Sequence, residues 1–169
     1  MIPSNTLYED MATLIARFRP KIFLFENVRG LTWAKWTSNG KKVEIWKDVK
    51  DTFSGTKQGF TSLKKYKVEN ALVFAKDYGI PQNRPRVFIV GIRKDYLLEK
   101  NISPKGDVAN GLLPEPSLME RAPDIIDLLG DLVEKKYQPG SGGETIKYPN
   151  EAKTEWQKKL RRGKDGKIS

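Results

Sequence analysis

Two short runs of apolar residues constrain the fold of this chain most strongly. The first run is Ile22–Phe25, and the second lies within residues 86–92. An amphipathic helix is predicted over residues 5–18, and Pro20 ends it just before the first run. A helix followed by a fully apolar strand is typical of an α/β sheet that is covered on both faces. We therefore expect an α/β fold in which both runs form buried strands.

The rest of the chain alternates further helices and one more strand with polar connections. The predicted elements between the two apolar runs are a loop over 31–42, a helix over 43–53, a strand over 65–74 and a helical turn over 75–78. A surface connection over 99–116 follows the second run. The last two elements are a flexible linker over 139–143 and, before it, a helix capped by Ser117 and Glu120, with Pro123 in its first turn and an apolar stripe from Ile125 to Val133. A length of 169 residues fits one domain with an appendage. We divide the sequence into residues 1–98 and residues 99–169.

The sequence contains no cysteine and no histidine. This excludes disulfides, thiol nucleophiles, Cys/His zinc sites and Ser-His-Asp triads within these residues. The sequence also has no P-loop, GxGxxG motif or metal-ligand cluster, so no metal is expected. Any chemistry has to come from carboxylates, Lys, Arg, Tyr, Ser or Thr, or from another chain.

The charge balance points to a polyanionic partner. Lysine and arginine total 31 against 21 acidic residues, which gives a net charge of +10 and favours nucleic acid first and acidic membrane surfaces second. The basic run Lys158–Arg162 fits either a DNA backbone contact or a solvated helix face. No stretch approaches the roughly 20 apolar residues that span a membrane, and the first residues do not resemble a signal peptide. We therefore expect a cytoplasmic location without membrane contact.

Four tryptophans suit base stacking as well as burial. Trp46 lies on an apolar helical face and is expected in the core. Trp33 and Trp36 lie in the predicted loop and are assigned to neither role.

Glu26 directly follows the first apolar run, at the expected carboxyl end of a strand. Ligands of α/β sheets bind beyond such ends, and a carboxyl there is partly desolvated and suited to donate a proton. The adjacent Asn27 could orient a ligand through its amide. The alternative is that Glu26 and Asn27 only end a strand and turn the chain.

A second polar group spans residues 82–86, just before the second apolar run. Because Pro85 holds Arg84 in an extended conformation, Arg84 and Arg86 are expected to project to the same side. Two parallel guanidiniums suit phosphate oxygens or the carbonyl of a base. Gln82 belongs to a stiff segment just before the two arginines, which would hold the pair in place. The alternative is a polar turn with solvated or locally paired arginines.

Together, the two groups resemble the motifs of the cytosine-C5 DNA methyltransferases. The resemblance rests on Glu-Asn-Val over residues 26–28 and on Tyr-Gly-Ile-Pro-Gln-Asn-Arg-Pro-Arg over residues 78–86. It covers most of the chain and implies a partial Rossmann-like methyltransferase sheet with flanking helices, the second half of a catalytic domain. Residues 1–98 would be this partial domain, and residues 99–169 a connection toward the target-recognition domain.

The resemblance implies a role for each candidate residue. In that family a cysteine attacks C6 of a cytosine flipped out of double-stranded DNA, and S-adenosylmethionine supplies a methyl group to C5. Glu26 would hold or protonate the N3 side of the base, and Arg86 would contact O2 and fix Glu26. Arg84 would lie near the catalytic loop or a phosphate, and Asn27 and Gln82 would contact the substrate. No residue is assigned to the cofactor.

This chain also departs from the family pattern. The Pro-Cys-Gln loop of the family lies upstream of the first helix, and the glycine-rich cofactor strand is absent, so we expect an inactive fragment. Without the central strands, Ile22–Phe25 would form an apolar edge. We therefore expect a homodimer, a complementary methyltransferase half as a partner, or further segments of this chain folded over the edge. The alternatives are a non-catalytic basic DNA-binding or scaffold module with the same fold, and an inert remnant of a disrupted gene.

Overall fold

A computed structural model describes residues 6–38, 41–116, 122–133 and 148–163. Its helices and strands, numbered in chain order, are α1 (Leu7–Phe18), β1 (Ile22–Val28), β2 (Lys35–Ser38), β3 (Lys41–Glu44), α2 (Ile45–Phe53), β4 (Tyr66–Phe74), β5 (Pro85–Arg93), α3 (Lys94–Glu99), α4 (Ile125–Leu129) and α5 (Glu155–Leu160). These elements confirm the predicted α/β class. The described chain divides into two units, residues 6–74 with 84–116, and residues 75–83 with 122–133 and 148–163. The division at residue 98 stays a prediction.

The first unit contains a three-stranded sheet in the order β1–β5–β4. Both ladders are antiparallel, and Val28 lies opposite Arg86 in the ladder between β1 and β5. The Rossmann-like sheet expected from the resemblance therefore stays a prediction. Because β1 pairs with β5 as far as Val28, the prediction that Glu26 and Asn27 follow the strand is wrong. Both residues lie inside it.

The predicted loop over residues 31–42 is also wrong. A 3₁₀ turn, Arg29–Thr32, follows β1, and β2 then pairs with β3 as an antiparallel hairpin. The helix predicted over residues 43–53 is present as α2, which begins only after β3 ends at Glu44. The helical turn predicted over residues 75–78 is confirmed as a 3₁₀ turn.

One face of the three-stranded sheet packs against α1 and α2. Phe23 is central to this core, where its ring stacks on Phe53 with centroids 5.5 Å apart and meets Tyr66 edge-on at 5.2 Å. Gly91 lies opposite Phe23 in β5, and a Cβ on Gly91 would come within 2.1 Å of the Phe23 ring. Glycine is therefore needed there because the ring occupies the space of a side chain. The other buried members are Tyr8, Ala12, Ile15, Val49, Leu63 and Ile89.

The opposite face of the sheet is covered only in part. Val90 and Ile92 form a second buried cluster with Ala109, so residues 99–116 do more than run along the surface as predicted. Among the described residues β1 has no such cover, and three of its apolar side chains are about half exposed: Ile22 (52%), Leu24 (51%) and Val28 (51%). The prediction that this strand is buried on both faces is therefore wrong. Within the described sheet its predicted position at an apolar edge is confirmed.

Polar contacts hold the second unit together. Thr154 caps α5, since the Gln157 N–H donates to Thr154 Oγ1 at 3.1 Å and the Thr154 N–H donates to Gln157 Oε1 at 3.2 Å. Asp131 and Arg161 form a buried ion pair with Nη2 and Oδ2 2.6 Å apart and side chains only 3% and 9% exposed. The Arg161 guanidinium also lies 3.9 Å from the centroid of the Tyr148 ring.

The apolar stripe predicted around α4 is not buried. The helix has five residues, and Ile125 and Ile126 are mostly exposed. Pro123 precedes α4 and is not part of its first turn. Three predicted features lie outside the described residues: Ser117, Glu120 and the linker over 139–143. No helix in the described ranges is both long and apolar enough to cross a membrane.

Replacing Gly91 with alanine is expected to lower the free energy of unfolding by about 1–3 kcal/mol, because a methyl group cannot fit under the Phe23 ring unless the ring moves. Urea or thermal unfolding measures this change. Gly30→Ala is the matched control, since the nearest atom to its added Cβ lies 4.0 Å away. The cost of Gly91→Ala should shrink when Phe23 is also leucine, and equal costs in both backgrounds would contradict the steric explanation.

Replacing Arg161 with methionine leaves the buried Asp131 carboxylate without its cation. We expect a loss of about 3–5 kcal/mol, because an unpaired charge is then held away from water. Hydrogen exchange should show faster exchange in α4 and α5, with the sheet of the first unit unchanged. Lys158→Ala is the control, since it removes only an exposed ion pair with Glu155 and should leave exchange unchanged. Retained protection in Arg161→Met would contradict this role of the buried pair.

Candidate functional site

Glu26 and Arg86 form an ion pair across the ladder between β1 and β5. Because side chains alternate along a strand and Val28 lies opposite Arg86, Glu26 and Arg86 share one face as diagonal neighbours. Arg86 Nε lies 2.6 Å from Glu26 Oε1. The structure thus brings together one candidate residue from each of the two apolar strands.

The pair is accessible and keeps hydrogen-bonding groups for a ligand. The Glu26 side chain is 45% exposed and that of Arg86 is 19% exposed, so the desolvated carboxyl expected from the sequence is not observed. Arg86 Nη1 donates to the Pro85 carbonyl oxygen at 2.9 Å. Neither Glu26 Oε2 nor Arg86 Nη2 forms a hydrogen bond with the described residues. The pair therefore keeps one acceptor on Glu26, whose side chain is 45% exposed, and one donor on the less exposed Arg86.

The other candidates of the first unit do not join this pair. Arg84 is exposed one residue before β5, and among the described residues it is Arg86 that forms the ion pair with Glu26. Asn27 lies on the opposite face of β1 from Glu26 because adjacent residues of a strand alternate. Its Oδ1 accepts a hydrogen bond from the Val28 N–H at 2.8 Å. The side chains of Glu26 and Asn27 therefore lie on different faces of the sheet.

Asn27 lines a cavity of about 420 Å³ on its own face of the sheet. The Tyr8 hydroxyl, also at this cavity, donates to Asp48, whose carboxylate lies 2.6 Å from Lys57 Nζ. Burial and the hydrogen bond to Asp48 raise the pKa of Tyr8 well above its usual range, so the hydroxyl stays protonated. The remaining lining side chains are apolar: Leu7, Met11, Phe25, Leu31, Ile45 and Val49.

Gln82 belongs to the second unit. It follows the 3₁₀ turn Ala75–Tyr78, and its N–H donates to the Ile80 carbonyl oxygen at 2.6 Å. Its side chain lines an open cavity of about 540 Å³ together with Lys76, Asp77 and Asn83 and with residues around Pro123. The lining combines polar and charged side chains with apolar ones such as Ile125 and Leu128. No set of three or more acidic residues in the described ranges could hold a metal ion.

Trp33 also has an exposed side chain, and the sequence assigns it neither to the core nor to base stacking. It ends the 3₁₀ turn after β1, its side chain is 60% exposed, and the Arg29 guanidinium carbon lies 5.1 Å from its ring centroid. The available signal was an arginine and a tryptophan four positions apart. Side chains four positions apart meet where the chain forms a helical turn. Because the sequence predicts a loop there, this contact was not expected.

Comparison with known proteins agrees with the motifs. The model of the family described as "C-5 cytosine-specific DNA methylase" matches residues 2–166. The chain is 30% identical to Type II methyltransferase M.DdeI of Desulfomicrobium norvegicum over 162 residues, which cover 95% of this chain and 34% of that protein.

Two further relatives match shorter stretches. Type II methyltransferase M.XorII of Xanthomonas oryzae is 34% identical over 69% of this chain and 27% of its own length. Type II methyltransferase M.HpaII of Haemophilus parainfluenzae is 37% identical over 53% of this chain and 22% of its own length. The chain thus spans about a third or less of the length of these relatives. Because the family match extends over nearly all its residues, the chain belongs to the C-5 cytosine-specific DNA methylases.

Proposed function

We propose that this chain forms the part of a cytosine-C5 DNA methyltransferase that holds the target cytosine, with Glu26 and Arg86 as the residues that bind the base. The observation that carries the proposal is their ion pair of 2.6 Å, in which the Glu26 carboxyl is 45% exposed and Oε2 and Nη2 form no hydrogen bond with the described residues. Such a donor and acceptor at fixed separation match one edge of a planar heterocycle.

The polar atoms of cytosine fit these two groups. Its O2 and N3 are acceptors, and its N4 amino group is a donor. Arg86 Nη2 would donate to O2. The Glu26 carboxylate would take up a proton from solvent as the base binds, and the protonated carboxyl would then donate to N3. A proton shared with N3 draws electron density out of the ring, so that C6 accepts a nucleophile more readily. The bond from Arg86 Nε would hold the Glu26 carboxyl in the plane of the base.

The nucleophile has to come from residues other than these. The sequence contains no cysteine, so it cannot supply the thiolate that adds to C6 in this family. After that addition a methyl group is transferred to C5, the C5 proton is lost and the thiolate leaves. We therefore propose that these 169 residues contribute binding and polarisation of the base, and that a second segment contributes the thiol.

S-adenosylmethionine, when bound, supplies the methyl group. The described residues do not fit it well, since the cavity beside Asn27 is lined mainly by hydrocarbon side chains and has no carboxylate to hold ribose hydroxyls. We assign no residue of this chain to the cofactor, and we place its site on the segment that also brings the thiol.

The open edge of β1 supports a polypeptide partner. Its apolar side chains Ile22, Leu24 and Val28 are about half exposed, and an edge strand has unpaired backbone groups that favour another strand. We propose that a complementary methyltransferase half pairs there and extends the sheet into a Rossmann-like one. A homodimer through the same edge is the alternative arrangement.

Double-stranded DNA is the proposed substrate, which the net charge of +10 favours. Arg84, exposed just before β5, would contact a phosphate or the loop that carries the thiol. Gln82 would contact the DNA from the second unit, and Asn27 would support the Glu26 strand from the other face. A non-catalytic DNA-binding module with the same fold is the second candidate, favoured by the missing thiol.

We expect the purified chain alone to transfer no methyl group to DNA. The reason is chemical, because without a thiolate the C6 position is not attacked. Incubation with cytosine-containing duplex DNA and radiolabelled S-adenosylmethionine measures this. Incorporation above the background of a DNA-only sample would contradict the proposal.

Glu26→Gln is expected to lower activity at least about 100-fold when the chain is combined with a methyltransferase segment that carries the Pro-Cys-Gln loop, because glutamine cannot donate a proton to N3. Methyl incorporation by the mixture is the measurement. Glu99→Gln is the matched control, since Glu99 is exposed and its ion pair within the described part of the chain is with its neighbour Lys100. If the mixture is active and Glu26→Gln equals the wild type, Glu26 does not hold the base. If the mixture binds DNA but never incorporates methyl groups, the non-catalytic module is favoured.

A further inference from the structure

Trp33 exposes a large aromatic ring seven residues after Glu26 in the chain. The 3₁₀ turn Arg29–Thr32 begins directly after β1, three residues beyond Glu26, so at most about 11 Å separates the Cα atoms of Glu26 and Arg29. The ring is 60% exposed, although tryptophan is usually well buried. The Arg29 guanidinium lies over it at 5.1 Å. We call Arg29 and Trp33 together the Arg29–Trp33 platform.

The backbone of the platform is held in place. The N–H groups of Trp33 and Ala34 both donate to the Gly30 carbonyl oxygen, at 3.3 and 3.1 Å. Thr32 Oγ1 donates to the Arg29 carbonyl oxygen at 2.9 Å, and the Ile45 N–H donates to the Ala34 carbonyl oxygen at 3.1 Å. These bonds fix the turn to the base of the β2–β3 hairpin. A ligand would therefore meet a preformed surface and would not have to order a loop.

The other tryptophans of the first unit differ from Trp33. Trp36 and Trp46 are partly buried and pack against the core, and the Trp36 ring lies 6.4 Å from that of Tyr8. Their burial is explained by hydrophobic packing, whereas the exposure of Trp33 is not. An exposed aromatic ring beside a guanidinium is the surface on which nucleobases stack.

The charge around the platform suits a nucleic acid strand. From Arg29 to Glu44 the sequence has four basic residues and one acidic residue. Lys42 pairs with Thr37 across the hairpin, and Lys35 pairs with Glu44, so all four residues share the outward face of the hairpin. Arg29, Lys35 and Lys42 are exposed, and of these Arg29 contacts the Trp33 ring. They would meet the phosphates of a strand whose base stacks on Trp33.

We propose that the Arg29–Trp33 platform stacks an unpaired nucleobase of the DNA strand that carries the target cytosine. The proposal rests on the proposed function in two respects, that the partner is DNA and that the target cytosine lies at Glu26. Because the turn that carries the platform begins three residues after Glu26, we place the stacked base near that cytosine in the same strand. Stacking there offsets the energy that is lost when the target base leaves the duplex.

Binding to two single-stranded oligonucleotides separates stacking from phosphate contact. One oligonucleotide carries ordinary bases, and the other has the same length and the same phosphates but is abasic throughout. Fluorescence anisotropy at one low salt concentration gives the affinity of the chain for each. We expect the wild type to prefer the base-bearing strand at least about fivefold, and Trp33→Ala to lose this preference while binding the abasic strand as before.

Two further variants control the experiment. Trp33→Phe keeps an aromatic ring and should retain part of the preference. Trp156→Ala removes another exposed tryptophan with a cation over its ring, Lys159 at 5.0 Å, and should retain all of it. Circular dichroism shows whether each variant is folded.

The proposal is overturned if the wild type shows no preference for bases, if Trp33→Ala keeps the preference, or if Trp156→Ala loses as much of it. It is also overturned if Trp33→Ala weakens binding to both strands equally, since the residue would then act through the fold. None of these outcomes depends on methyl transfer, so failure of the platform is distinguishable from failure of Glu26 as the base-binding residue.

Discussion

The antiparallel alignment of β1 with β5 determines both the core and the candidate site. The same register that sets Phe23 opposite Gly91 sets Val28 opposite Arg86. Side chains alternate with a period of two, so a slip of one residue would turn Phe23 out of the core and move Glu26 to the other face. Gly91 makes the alignment specific because only a residue without a side chain accommodates the Phe23 ring above it. The ion pair between Glu26 and Arg86 is therefore positioned by hydrophobic packing on the opposite face of the same strands.

The ion pair itself contributes little to folding. Glu26 is 45% exposed, and ion pairs of this kind stabilise proteins by at most about 1 kcal/mol. The buried pair of Asp131 and Arg161 differs, because removing either partner leaves a charge without water or counterion. The small contribution of the Glu26–Arg86 pair to stability agrees with its proposed role in binding the base. The half-exposed apolar residues beside it would be covered in the same event that completes the site.

Local sequence signals predicted the elements whose packing is simple. Pro20 and the run Ile22–Phe25 located the end of α1 and the start of β1, but the strand continues to Val28 because pairing with β5 overrides the polar residues. The β2–β3 hairpin was missed although Asn39-Gly40 is a strong hairpin signal, since the flanking strands are only four residues each. The apolar stripe of α4 stays exposed because the second unit is held by polar contacts of Thr154 and Arg161, which no hydrophobic pattern reveals.

For the site, the sequence indicated which residues matter and left open how they are arranged. Glu26 and Arg86 were both recognised by motif, and their contact follows from a register that only the folded sheet defines. Once Glu26 lies inside a strand, Asn27 must face the other way, although both residues belong to one motif. A carboxyl and a guanidinium can orient a pyrimidine and polarise it, but they cannot replace a thiolate at C6. We therefore propose that binding lies on this chain and attack on another segment, since 169 residues without cysteine provide no thiolate for the second step.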